Sequence, residues 1–122
     1  MPRERDAVVS EELPVEELLS FLDDEYARRI LIETTTEPKS ANELAEACDA
    51  SLPTVYRRID RLTEYDLITE QTHLDDDGHH YGTYTATLRA VEIELTDGGL
   101  DVDVSREPSD AADRFTELWE GL

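Results

Sequence analysis

The spacing of apolar positions changes along this chain, and the changes divide it into elements. Val15, Leu18, Leu19 and Leu22 recur at helical spacing and predict a first helix. Asp23 or Asp24 is placed to cap a second helix, in which Ala27, Ile30 and Leu31 share an inward face. The run Thr34-Thr35-Thr36-Glu37-Pro38 ends that helix. Its β-branched residues lose rotamer freedom in a helix, and the position before proline avoids helical torsions. Ser40 followed by Glu43 is a capping-box pattern and opens a short helix with Leu44, Ala45 and Cys48 on its apolar side. Asp49-Ala50-Ser51 forms a turn. Ser51 caps a further helix, with Pro53 in the first turn, where a missing N–H costs nothing.

Helix geometry assigns the faces of that further helix. At ~100° per residue, Val55, Ile59 and Leu62 fall within one narrow arc, which is the core face. Thr54, Arg57 and Arg61 lie roughly opposite, with Pro53 and Asp60 beside them, and Tyr56 and Arg58 at the two edges. A short helix, a tight turn and an arginine-bearing helix make the arrangement by which a helix-turn-helix enters the major groove of DNA.

Beyond residue 66 the chain becomes β-prone. Leu67 to Thr72 suits a strand, Asp75-Asp76-Asp77-Gly78 is a turn signal, and His79 to Thr85 is a return strand rich in tyrosine and threonine. A hairpin in that position predicts a wing. From Ala86 to Leu95 apolar residues are dense, Asp97-Gly98-Gly99 signals a second hairpin, and residues 100–104 alternate strictly. One face of that hairpin is apolar and the other carboxylate. The apolar face needs a cover, supplied by the core, by the last helix or by a second subunit. Pro108-Ser109-Asp110 starts the last helix, whose stripe is Ala111, Phe115, Leu118, Trp119 and Leu122.

The expected fold is α+β: a winged helix-turn-helix with an extra C-terminal β-hairpin and a terminal helix. Residues 1–12 read as a flexible tail, 13–85 as the DNA-binding domain, 86–106 as the hairpin extension and 108–122 as a helix in the dimer contact.

Charge changes this picture in one respect. Acidic residues number 31 against 11 basic, for a net charge of -20. A DNA-binding protein is ordinarily basic where it meets phosphate. Lys39 is the only lysine and the other basic residues are arginines. Such a composition suits a cytosol of molar salt, where the Debye length is only ~3 Å and local charge alone matters. An ordinary acidic protein and a mimic of nucleic-acid charge are the alternatives. Between Pro53 and Leu62, Arg57, Arg58 and Arg61 stand against Asp60, the one strongly basic cluster of the sequence. Arginine donates two parallel hydrogen bonds to guanine or phosphate, and Thr54 and Tyr56 add hydroxyls. The wing tip is acidic instead, so it stands off the phosphates or is screened by cations. His79 and His80, just after the tip, are further donors to phosphates when protonated.

Catalytic readings find no support. There is no glycine-rich phosphate loop and no nucleophile beside a base, so an enzyme, a cofactor and a metal are not expected. Asp75, Asp76 and Asp77 with His79 read as a solvated turn. Cys48 is the only cysteine, which excludes an intrachain disulfide, and its apolar side of the helix suits a buried, inert thiol. No apolar run is long enough for a membrane span, and the N-terminus lacks a signal-peptide core, so a cytoplasmic protein is expected.

These features resemble the winged helix-turn-helix transcriptional regulators of the ArsR-like type found in halophilic archaea. The resemblance covers about residues 15–85. It rests on Asp24, Arg28, Ile30 and Leu31, on Glu43-Leu44-Ala45, on Ser51, Thr54-Val55, Arg58, Ile59 and Leu62, and on Leu67-Ile68. It implies a homodimer reading a near-palindromic operator, with Thr54, Arg57 and Arg61 as reading residues. The paired cysteines of the metal-sensing members are absent here. The full set of expected DNA contacts is Ser51, Pro53, Thr54, Tyr56, Arg57, Arg58, Arg61, His79 and His80. The expected dimer contacts are Val15, Leu18, Leu22, Phe115, Leu118, Trp119 and Leu122. Expected partners are double-stranded DNA and a second copy; no membrane and no small-molecule effector is indicated. The competing class is a winged-helix protein-interaction module within a transcription or chromatin-associated complex.

Overall fold

The computed structural model describes residues 13–107. Helix α1 spans Val15–Asp23, and α2 spans Glu25–Thr36. A two-residue strand β1, Lys39–Ser40, leads into α3, Ala41–Cys48, and α4 covers Leu52–Glu64. Strands β2 (Ile68–Leu74) and β3 (His80–Ala86) form the wing. Strands β4 (Leu88–Thr96) and β5 (Gly99–Arg106) form a second hairpin. The α+β winged helix-turn-helix and the extra hairpin are both present. The polar tail at residues 1–12 and the terminal helix at 108–122, with Phe115, Leu118, Trp119 and Leu122, lie outside the described residues.

The helix boundaries arise from local chemistry. Asp24 is the α2 cap: its carboxylate accepts the N–H groups of Tyr26 at 2.8 Å and Ala27 at 3.1 Å. α2 then closes its last turns on threonines. Thr34 is fully buried, and its hydroxyl donates to the Ile30 carbonyl at 2.7 Å, so no polar group there is left unsatisfied. The capping box at α3 is complete. The Glu43 N–H donates to Ser40 Oγ and the Ser40 N–H donates to Glu43 Oε1. Asp49 ends α3 in the left-handed region, at φ 56°, a conformation aspartate tolerates better than most residues. Ser51 caps α4 by accepting the Thr54 N–H at 3.3 Å.

The core lies between these helices and the wing. Phe21, Ala27, Ile30, Leu31, Leu44, Val55, Ile59, Leu62, Leu67, Ile68 and Tyr84 form one buried cluster. Val55, Ile59 and Leu62 therefore occupy the inner face of α4, as the helical arc requires. The three-stranded sheet has the order β1-β3-β2. β1, invisible to periodicity at two residues, pairs Lys39 with Tyr84 and Ser40 with Thr83 and so fixes the wing against the start of α3. Burial, then the charge of Glu70, pushes the Tyr84 phenol up to about 12. A neutral hydroxyl therefore sits where β3 meets the helices.

The β4–β5 hairpin is not hydrogen-bonded to the wing sheet; it forms its own two-stranded sheet. Its base is anchored at the end of α4. Arg106 donates to the Asp66 carbonyl at 3.0 Å and to the Tyr65 carbonyl at 2.9 Å, which satisfies acceptors that the helix end leaves open. Thr87 and Leu88 both donate their N–H groups to the Leu67 carbonyl.

Leu18 is fully buried within the chain. Val15 and Leu22 are half-buried, and Leu19 is the exposed apolar residue of α1.

Asp24 also makes the fold pH-sensitive. Burial raises its pKa, but the Ala27 N–H, the Arg58 guanidinium and the Tyr26 N–H together outweigh burial and hold it below the ordinary 3.8. A carboxyl whose pKa is lower in the folded state stabilises above its unfolded value, and that contribution is lost as pH falls through the folded value. Wild type should therefore be more stable than Asp24→Asn near neutrality, and the gap should close as pH falls below about 4. Denaturant midpoints followed by circular dichroism across pH check this. A gap that persists unchanged in acid would mean that the charge contributes nothing.

Candidate nucleic-acid interface

Helix α4 points its polar face away from the core, with Arg57, Asp60, Arg61 and Glu64 exposed. The N-terminal turn presents Ser51, Leu52 and Pro53, all exposed, and Thr54, which is half-buried. The Ser51 hydroxyl donates to Thr54 Oγ1 at 3.0 Å. These two hydroxyls therefore act together at the helix start, where unpaired N–H groups and the helix dipole favour phosphate oxygens. Tyr56 is exposed on the edge nearest the wing, close enough to Tyr84 to influence its phenol.

The arginines of α4 separate into different roles. Arg58 donates through Nε to Asp24 Oδ2 at 2.8 Å, and its guanidinium lies 5.5 Å from the Tyr26 ring centroid. It ties α4 to the cap of α2. Asp24 thus caps one helix and holds another. Arg61 pairs with Glu17 of α1 and, at 3.6 Å, with Glu64, and it lies 5.7 Å from the Phe21 ring centroid. Its side chain is still 47% exposed, so the pair is a surface one that a phosphate can displace. Arg57 differs from both. Among the described residues it is exposed and has no carboxylate, carbonyl or ring partner. The other described cations are engaged. Arg29 and Lys39 pair with Glu33, Arg89 pairs with Glu107, and Arg28 donates to the Leu22 carbonyl.

Glu64 lies on α4 beyond the basic segment Pro53–Leu62, so the whole helix carries three arginines against Asp60 and Glu64. The basic character concentrates in the N-terminal half, around Arg57.

The wing pairs Ile68 with Ala86 through Leu74 with His80 in an unbroken antiparallel register. His73 stacks on Tyr81 at 5.1 Å between ring centroids, and His73 Nε2 lies 2.9 Å from Thr83 Oγ1. At the tip the Asp75 carboxylate accepts the N–H groups of Asp77 and His79, both at 2.9 Å. His79 Nδ1 is 3.9 Å from Asp75 Oδ2, and His80 is exposed at the start of β3. Asp75, Asp77 and His79 bring ligand atoms within 4.8 Å of one another. Asp75 is already used in holding the turn, and all three are exposed, as in a solvated turn. His79 thus sits beside the Asp75 carboxylate, and both tip histidines lie apart in sequence from the α4 arginines.

Burial, the leading influence, pushes the Cys48 thiol above its ordinary 9.0, so the thiolate needed for redox chemistry is disfavoured. Among the described residues no helix is long and apolar enough to cross a membrane.

Residues 22–71 match a family described as a helix-turn-helix domain. The match runs from the end of α1 through α4 and into the first strand of the wing, the segment that contains the cap at Asp24, the turn at Asp49–Ser51 and the Arg57 face. No curated protein matches the chain. The matched domain and the wing after it support a winged helix-turn-helix regulator that binds DNA.

Proposed function

We propose that this protein is a homodimeric, sequence-specific transcriptional regulator of the ArsR-like type, which binds double-stranded DNA in a high-salt cytoplasm. Two copies of the helix that begins at Leu52 enter successive major grooves, about one helical turn apart. The observation that carries this reading is Arg57, an arginine without a described partner, on the outer face of α4 in a chain whose other described cations are engaged. An acidic protein in molar salt loses nothing by pairing its arginines; an arginine left open among the described residues supports a ligand at that face. Ser51 and Thr54 contribute hydroxyls to phosphate, Pro53 and Tyr56 contribute apolar and hydroxyl contact, and Arg57 reads a base edge. Arg61 joins them by exchanging Glu17 for a phosphate. The dimer is implied by the ArsR-like resemblance.

The binding-competent domain in this reading is residues 13–85. Its electrostatics set the salt dependence. Basic regulators lose affinity steeply with salt because they release counterions condensed on DNA. Here cations must accompany the acidic surface onto the duplex, so the loss should be shallow. Titration of the protein on its operator duplex from ~0.5 to ~2 M KCl tests this, with a salt slope well below that of a basic regulator as the expected result. Loss of all binding in molar KCl would contradict it.

A second reading, a protein-interaction module, draws on the acidic wing tip and the apolar face of the β4–β5 hairpin. It gives no role to the open Arg57 face.

A further inference from the structure

The strands of the wing are nearly free of charge. In a chain where 31 of 122 residues are acidic, β2 and β3 together hold a single carboxylate, Glu70, and no arginine or lysine. Glu70 is exposed, yet its side chain is held in place. It stands opposite Tyr84 in the ladder, and the Tyr84 hydroxyl donates to Glu70 Oε2 at 3.4 Å. Gly82 makes the room. A Cβ at that position would overlap Glu70 Oε2, and the nearest atoms it would meet all belong to the Glu70 side chain. The glycines at positive φ are Gly78 and Gly99, so no turn requires a glycine at 82. A glycine inside a strand weakens the strand and marks a close approach. Here the group that approaches is a carboxylate.

We infer that Glu70 is a specificity-determining residue, whose fixed carboxylate lies in the crease between α4 and the wing and turns away the phosphates that sequence-independent binding would bring there. The inference rests on the DNA-binding reading proposed above. The crease is located by its contacts: α4 packs against β2, and Glu70, Tyr56 and Asp60 all lie close enough to the Tyr84 phenol to disfavour its anion. Tyr56 and Asp60 stand one turn apart and share the wing-side edge of α4. Arg57 and Arg61, also one turn apart, share the neighbouring stripe, and Arg61 reaches Glu17 of α1. Neither Asp60 nor Glu70 has a cation partner among the described residues. The outer face of α4 is therefore divided, with cations on the side of α1 and carboxylates on the side of the wing. A helix in the major groove has a phosphate strand on either side of it. On one side that strand meets guanidinium groups, and on the other it meets Asp60 and Glu70. In molar salt the repulsion acts only within about 3 Å, so a carboxylate free to swing would step aside. One held by Gly82 and Tyr84 does not. Discrimination is gained by unfavourable contacts with the wrong ligand as well as by favourable ones with the right ligand. A pose fixed by base contacts holds the backbone clear of Glu70, whereas the shifted poses on random sequence do not.

The test is equilibrium binding of the full-length protein, followed by fluorescence anisotropy in ~0.5 M KCl, to a pool of random-sequence duplexes of about 30 base pairs, which has room for two half-sites a turn apart. Glu70→Gln should bind the pool roughly two- to fivefold more tightly than wild type, the size of one exposed charge contact, and lose affinity more steeply as salt is added. Gly82→Ala keeps the charge but displaces it. The atom it meets is the free end of a flexible side chain, so the strand holds while the carboxylate swings out. Its affinity for the pool should also rise. Duplexes captured by either variant and sequenced should show weaker enrichment of any one sequence than those captured by wild type. A carboxylate that only braces the wing would shift the unfolding midpoint and leave affinity and enrichment unchanged, and unfolding of the same samples separates the two roles. Arg57→Ala in parallel separates this inference from the reading beneath it. If Arg57→Ala weakens binding while Glu70→Gln and Gly82→Ala match wild type or bind less tightly, the role of Glu70 is overturned and the DNA-binding reading stands. If wild type binds no duplex at all, both are overturned.

Discussion

Arg57→Ala should lower affinity for the operator about 10–100-fold while leaving the unfolding midpoint where it is. One well-placed bidentate arginine contact carries roughly 1–3 kcal/mol of discrimination, which is that range in affinity. The side chain is exposed and has no described partner, so its removal costs the fold nothing. Binding by fluorescence anisotropy and denaturant unfolding on the same samples check both halves. Arg58→Ala makes a useful contrast. Its guanidinium holds Asp24 and covers the Tyr26 ring, so its loss should appear in stability first. Equal affinities for wild type and Arg57→Ala would remove Arg57 from the reading face.

Leu62→Ala should have the reverse pattern. Leu62 is fully buried on the inner side of α4, within the cluster that joins the helices to the wing. Truncating a leucine there loses its transfer free energy and leaves a cavity, for about 2–5 kcal/mol. Domains of this size are stable by about 5–15 kcal/mol, so a large share is lost. Thermal and denaturant unfolding should both shift strongly. DNA affinity, corrected for the folded fraction, should change little. A stability change under about 0.5 kcal/mol would mean that the α4–core packing is wrong.

Much of this was legible in the sequence where the physics is local. Ser40 with Glu43, Ser51 with Thr54, and Asp24 before Tyr26 and Ala27 act over two or three residues, and the sequence shows such patterns directly. Val55, Ile59 and Leu62 were legible because a helix repeats. The wing and the second hairpin were legible from their turns. Arg58 and Arg61 were not. The partners Asp24 and Glu17 lie 34 and 44 residues away, and only the packing of α1 and α2 against α4 brings them there. A helical wheel sets Arg61 with Arg57 and Arg58 at the edge, but it carries no information on neighbouring helices. The burial of Leu18 was hidden for the same reason, since an apolar stripe does not say which neighbour it faces. β1 is too short for any periodicity; it exists because Lys39 and Ser40 meet β3 on the way into α3.

The central claim is that α4 reads DNA through the face around Arg57. The most direct measurement sequences the genomic fragments captured by the purified protein in ~2 M KCl, with Arg57→Ala in parallel, since direct contacts must carry affinity where counterion release is suppressed. Enrichment of a near-palindromic site with half-sites one helical turn apart, lost in the variant, is the expected result. Fragments captured equally by both proteins, or no enrichment in either, would contradict it and turn attention to a protein partner.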